Sequence, residues 1–240
     1  MTYNIDEIKR YMDYFPYQEG DDFSEDEVYT FIENLDHETF EIFNFDTGAT
    51  KLVILPIDKD YVIKLPFNYS SRESCTYGSS EDSSSGGAYF YTHRVPFTSA
   101  SLEQREVKWD YCALERDLYK QAAAAGWSDY FAEIDKVEEI NIFPTYIQKK
   151  AEYFKENYRN KKDTEMLQNF CFDKRVRFAA PEWYTDVYYS LNKNMDKFDA
   201  FTTFLKERGI DEDLHKKNVG YDIKTGHPLI VDYGGFREYD

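Results

Sequence analysis

The sequence predicts an α+β protein of two lobes, and three observations carry that expectation. Short β-branched and aromatic runs separated by turn residues gather in the first half, helical periodicity dominates the second, and a Ser/Gly-rich stretch interrupts the first. A chain of 240 residues has room for two small lobes. With 42% hydrophobic residues, among them 22 Tyr and 19 Phe, it also has material for a real core, which excludes wholesale disorder.

Residues 1–39 read as an acidic, helical N-terminal extension. In "SEDEVYTFIENL", Ser24 stands as N-cap with Asp26 and Glu27 in the first turn, where the helix dipole favours negative charge. The period then changes. "FEIFNF" (40–45), "TKLVILPI" (50–57) and "YVIKLPF" (61–67) are strand-like, and "DTGA" and "DKD" between them are turn chemistry, so three antiparallel strands are expected. Residues 68–101 are rich in Ser and Gly without sustained periodicity and are expected to be an insertion. From about Glu106 to Ala125, Val107, Tyr111, Leu114, Leu118 and Ala122 recur at helical spacing, and Gly126 supplies the stop. Two strands, "YFAEIDKV" and "NIFPTYIQK", follow. Residues 151–209 then read as helical, with Met195, Phe198, Phe201 and Leu205 on one face and Gly209 at the end. A hairpin closes the chain: "NVGYDI", a Lys-Thr-Gly turn, and "HPLIVDYG". The expected organisation is therefore residues 1–39 as extension, 40–148 as a first lobe with the insertion, and 149–240 as a second.

Charge narrows the function classes. Lys and Arg number 29 against 46 Asp and Glu, a net −17, so a broad basic face for nucleic acid or anionic lipid is not expected. An acidic chain can instead occupy a basic nucleic-acid-binding surface, which is one alternative function. Cys75, Cys112 and Cys171 are odd in number and contain no C-x-x-C pair, arguing against a disulfide framework or zinc site and for a reducing, cytoplasmic setting. The opening "MTYNIDEIKRYMDY" has no apolar signal core, and no run is long enough to span a bilayer. "KENYRNKK" and "DKRVRF" are local basic patches, for which solvation of a surface is the ordinary explanation.

The chemistry-bearing residues cluster near the C-terminus. "DLHKKN" places Asp213 five residues before Asn218, and an apolar strand then delivers Asp232 in Asp232-Tyr233-Gly234. This succession resembles the catalytic and metal-binding segments of the protein-kinase-like superfamily. Its D-L-H-x-x-N spelling is similar to aminoglycoside phosphotransferases and small bacterial or phage kinase-like proteins. The resemblance implies a two-lobed protein-kinase-like fold with a small antiparallel-sheet N-lobe and a reduced helical C-lobe. It also implies an ATP- and Mg²⁺-dependent phosphotransferase acting on an unidentified hydroxyl. Asp213 would orient or deprotonate that hydroxyl, and Asn218 and Asp232 would supply oxygen to Mg²⁺. His215 would brace the loop.

Upstream, "YVIKLPF" puts Lys64 where the family's third strand carries its phosphate-gripping lysine. A lysine on a solvated strand face is the plainer reading of that position. For the partner, Glu103, Glu106 and Glu115 are available. Glu115 is selected because "ALERDLY" resembles the E-x-x-x-Y pattern of the bacterial kinase-like proteins and lies beside the apolar stripe, about 100° from Leu114. An exposed acidic helix residue is the alternative. Where the family has a glycine-rich loop, this chain has only "DTGATK", whose Gly48, Ala49 and Thr50 amides would cradle phosphate. "FPTYIQKKA" resembles the fifth strand and hinge, implying adenine contacts at Ile147, Gln148 and Lys149.

Two departures shape the expectation. Asp211 and Glu212 stand where the family has His-Arg or His-Gly, and the extra carboxylates are expected to raise the pKa of Asp213. Only Gly235 to Asp240 follow the D-Y-G, which leaves no expected platform for a protein substrate. The alternative to an enzyme is a pseudokinase or kinase-shaped binding module without phosphoryl transfer.

Overall fold

A computed structural model describes residues 2–13, 42–47, 51–66, 110–138, 140, 144–153 and 160–233. It is a mixed α+β structure. The chain divides into two compact units: residues 1–114 with 134–148 and 238–240, and residues 115–133 with 149–237. The predicted helix at Ser24 and the insertion at 68–101 lie outside the described residues.

In the first unit, helix α1 (Ile5–Met12) starts where the Asn4 side chain accepts a 3.0 Å hydrogen bond from the Asp6 amide. Asp6 and Glu7 occupy its first turn. Strands β1 (Phe43–Thr47), β2 (Lys51–Pro56) and β3 (Tyr61–Pro66) form an antiparallel meander, with Phe43 opposite Pro56 and Val53 opposite Lys64. Strands β4 (Ile134–Lys136) and β5 (Tyr146–Lys149) complete a sheet in the order β1-β2-β3-β5-β4. The first strand begins at Phe43, three residues after the start of "FEIFNF", and its pairing runs to Thr47 opposite Leu52.

Ile8 and Tyr11 of α1 pack with Phe43, Leu52, Ile54, Ile63 and Ile147 in the core of this unit. The described helix of the acidic extension is thus part of the first core. Glu7 adds a 2.7 Å ion pair to Lys59 and accepts a hydrogen bond from the Tyr61 hydroxyl. Full burial of Ile8 contributes about 2 kcal/mol, more than a partly exposed ion pair adds.

Helix α2 (Tyr111–Ala124) begins later than its periodicity suggests. The Asp110 carboxylate accepts from the Ala113 amide at 2.9 Å and caps the helix there, leaving Val107 outside the described residues. Gly126, with φ of 79°, ends it as expected.

The second unit contains helices α3 (Lys161–Lys174), α4 (Pro181–Ser190) and α5 (Met195–Glu207). A second sheet joins β6 (Ala151–Tyr153), β7 (Val219–Asp222) and β8 (Pro228–Ile230), all antiparallel. Its core is aromatic. Phe201 lies 4.8 Å from Tyr130 and 5.3 Å from Trp127, centroid to centroid, while Phe198 packs edge-on against Tyr184 and Tyr188. On the predicted face of α5, Phe198, Phe201 and Leu205 are fully enclosed and Met195 is half-buried.

One expectation needs correction. Residues 151–153, read as the start of a helical region, form strand β6, because Ala151 to Tyr153 pair with Asp222 to Gly220. The pairing requires the glycine: a Cβ on Gly220 would lie 2.5 Å from the Glu152 carbonyl oxygen and 3.1 Å from the Ala151 Cβ. Gly220→Ala is therefore expected to destabilise the protein by about 1–3 kcal/mol, read as a lower denaturation midpoint in urea at unchanged slope.

Candidate functional site

The loop after α5 is built around inward-facing polar groups. Gly209, at φ of 63°, turns the chain out of the helix, and Ile210 and Leu214 anchor the loop by burial. Asp211, only 4% exposed, accepts a 3.2 Å hydrogen bond from the Arg177 amide. Burial raises the pKa of Asp211, and the Arg177 bond opposes that shift. The Arg177 guanidinium donates to the Glu212 carbonyl. Arg177 also offers its own carbonyl to the Tyr184 hydroxyl at 3.1 Å, tying the loop to α4. The first of the two extra carboxylates is therefore a brace for the loop.

His215 is held on several sides. Its backbone bridges Ala179, its Nδ1 accepts from the Lys217 amide at 3.2 Å, and its carbonyl accepts from the Asn218 amide at 2.9 Å. Its Nε2 stands 3.9 Å from Asp213 Oδ1, at the outer limit of an ion pair.

Asn218 is the junction of the site. It is 7% exposed. Its side-chain Nδ2 donates to the Asp213 carbonyl at 2.8 Å and to Asp213 Oδ2 at 3.1 Å. Its own carbonyl accepts from the Val231 amide at 2.9 Å and from the Asp232 amide at 3.4 Å. Asp213, Asn218 and the backbone of Asp232 are thus gathered by hydrogen bonds within one unit. Tyr233 fixes the far side: its buried ring packs edge-on to Phe131 at 5.1 Å, and its hydroxyl donates to the Ala132 carbonyl at 2.7 Å.

The donor set suits a hard cation. Asn218 uses Nδ2 on Asp213, which leaves Oδ1 as its side-chain acceptor. Asn218 Oδ1 and the Asp232 carboxylate are hard oxygen donors of the type Mg²⁺ accepts alongside phosphate and water. Among the described residues, no group of three His, Cys, Asp or Glu side chains is placed to hold a metal ion. A cation here would therefore need oxygens beyond those side chains.

The other predicted residues divide by unit. Lys64 sits on β3 of the first, 3% exposed, and Glu115 on α2 of the second, fully buried. Neither is a solvated surface charge, so the plainer reading of each is excluded. Ile147 and Gln148 are buried on β5, opposite Asp135 and Ile134. The Lys149 amide donates to the Glu133 carbonyl at 2.8 Å, so that N–H is engaged within the protein and is not open to adenine. Gly48, Ala49, Thr50 and Gly234 lie outside the described residues.

Sequence reasoning missed Asp222. Its Oδ1 accepts from the Lys224 and Thr225 amides at 2.8 and 2.9 Å, shaping the Lys-Thr-Gly turn, and its Oδ2 pairs with the Lys149 ammonium. The aspartate before a Lys-Thr-Gly turn is a readable signal for the amide bonds; nothing local announces Lys149. Tyr221, beside it on β7, donates to Asp186 of α4 at 2.5 Å. Within the basic patches, Lys174 pairs with Asp199 at 2.9 Å and Lys161 with Glu165 at 3.8 Å. Cys112 and Cys171 are buried thiols outside any disulfide, and burial pushes the Cys171 thiol up to about 12. No helix among the described residues is long and apolar enough to cross a membrane.

Comparison with protein-family models, curated proteins and solved structures finds no match for this chain.

Burial opposes ionisation of Asp222, but the Lys149 ammonium and the two turn amides outweigh it and hold its pKa at about 2. A depressed carboxylate stabilises the fold above its unfolded pKa and loses that contribution as pH falls from about 4 to about 2. Wild type is expected to lose on the order of 1–2 kcal/mol across this window, whereas Asp222→Asn should show a flatter profile there. Denaturant midpoints measured at several acidic pH values check it, and parallel profiles would refute the assignment.

Proposed function

We propose that the chain is a compact, kinase-like phosphotransferase that uses ATP and Mg²⁺ to phosphorylate a hydroxyl. The observation that carries the reading is the Asn218 junction, which holds the Asp213 carboxylate beside the backbone of Asp232. A catalytic aspartate followed in the chain by a metal-binding asparagine and a metal-binding aspartate is the arrangement that kinase-like phosphotransferases use. Further support comes from Lys64 and Glu115, charged groups buried where a solvated role is impossible. A buried charge is retained only with a compensating partner.

In this mechanism Asp213 accepts the proton of the acceptor hydroxyl as its oxygen bonds to the γ-phosphorus. The bond from that phosphorus to the β,γ-bridging oxygen breaks, and ADP leaves with that oxygen's charge. The Asn218 Nδ2 bond fixes the rotamer of Asp213, so the base is oriented before substrate arrives. Asn218 Oδ1 and the Asp232 carboxylate would hold Mg²⁺, which neutralises the phosphate oxygens when bound. By the family resemblance, Lys64 would grip the phosphates. A kinase-shaped binding module, the non-catalytic alternative, shares the binding steps and lacks the transfer.

Mg²⁺-ATP is expected to stabilise the protein by about 2.7 kcal/mol at a hundred times its Kd, a rise in Tm of roughly 5–10 °C for a chain of this size. Asp213→Ala should abolish turnover and keep that shift, while Asp232→Ala should reduce the Mg²⁺-dependent part of it. Absence of any shift at millimolar nucleotide overturns the reading. A shift in wild type without ATP consumption for any tested acceptor would identify the binding module.

A further inference from the structure

His215 turns one ring nitrogen to its own loop and the other toward the Asp213 carboxylate. The Lys217 amide donates to Nδ1 at 3.2 Å, and a ring nitrogen that accepts a hydrogen bond carries no proton. The imidazole held in this way is neutral, with its proton on Nε2. Its backbone is fixed as well: His215 bridges Ala179, and its carbonyl accepts from the Asn218 amide at 2.9 Å. The direction of the Nε2–H is therefore set by the loop before any substrate arrives.

Nε2 stands 3.9 Å from Asp213 Oδ1, beyond hydrogen-bond reach. The two side chains are 40% and 24% exposed, so the gap between them is open to solvent. Asp213 Oδ2 takes the Asn218 Nδ2 bond at 3.1 Å, which fixes the rotation of the carboxylate and with it the place of Oδ1. An oxygen about 2.8 Å from both atoms fits a separation of this size. A hydroxyl satisfies both, because it donates its proton to the carboxylate and accepts from the N–H. A carbonyl or carboxylate brings no proton for Asp213, and an ammonium has no lone pair for the Nε2–H.

We propose that His215 is a catalytic residue that donates from Nε2 to the oxygen of the acceptor hydroxyl, bracketing that oxygen against Asp213. This assignment rests on the phosphotransferase reading of the loop. The hydroxyl proton passes to Asp213 Oδ1, and one oxygen lone pair forms the bond to the γ-phosphorus. The bond to the β,γ-bridging oxygen breaks, and ADP leaves with its electron pair. His215 keeps its proton throughout and engages the other lone pair, which fixes the direction of attack. Water carries the same donor and acceptor, so slow conversion of Mg²⁺-ATP to ADP and inorganic phosphate is expected when no other acceptor is added.

Two substitutions separate this role from bracing of the loop. His215→Asn puts an amide oxygen near the Nδ1 position, where it can keep the Lys217 bond, and removes the Nε2–H. His215→Gln carries an amide nitrogen out to the Nε2 position and gives up the Nδ1 bond. ADP release from Mg²⁺-ATP by the full chain, with water as acceptor, reads the difference. His215→Asn is expected to lower kcat by about 10- to 100-fold at unchanged KM for ATP, and His215→Gln should retain more of the wild-type rate. Both variants should keep the rise in Tm that Mg²⁺-ATP produces in wild type. A His215→Gln no faster than His215→Asn, as bracing alone requires, overturns the proposal, and so does wild-type turnover in His215→Asn. Loss of the nucleotide-induced shift in His215→Asn assigns the residue to nucleotide binding and overturns it too. Wild type that binds Mg²⁺-ATP but releases no ADP to water removes this assignment and leaves the phosphotransferase reading to its own acceptor test. Absence of the shift in wild type overturns both.

Discussion

The candidate active site depends on the need to satisfy one buried amide. Asn218 has little contact with solvent, so each of its donors and acceptors left unpaired inside would cost roughly 1–3 kcal/mol. Meeting that demand determines the local geometry. Its Nδ2 pulls the Asp213 carbonyl and carboxylate together, its amide closes the His215 turn, and its carbonyl collects the chain after β8. The three residues that would perform chemistry are brought together by hydrogen bonds that the fold needs in any case.

The surroundings tie this junction to neighbouring segments. The β7–β8 hairpin supplies the strand leading to Asp232, and Gly220 allows β6 to lie against it. Asp222 shapes the turn and clamps the end of β5 through Lys149. On the other side, Asp211, Arg177 and Tyr184 connect the loop to α4 through a short chain of hydrogen bonds. The Tyr184 phenol is fully enclosed, and burial raises its pKa well above the ordinary value, so it acts as a neutral donor. Each tie exchanges a solvated polar group for a paired one, which gains little net energy but leaves few alternative conformations.

Local physics explains what the sequence determined by itself. The α+β class, the β1–β3 meander, the buried face of α5, the Gly126 and Gly209 stops and the terminal hairpin follow from side-chain period and turn chemistry, which act over a few residues. The motif pattern also singled out Asp213, Asn218 and Asp232. Tertiary structure alone decided the rest. Lys64 looks like a solvated strand lysine until β2 and β5 flank β3 and all six of its residues become buried. Strand β6 has no alternation of its own and exists through its pairing with β7. Asp222 finds Lys149, and Asp211 finds Arg177, across separations that no local pattern encodes. Burial and charge pairing depend on which segments are brought together, and that is a property of the folded chain as a whole.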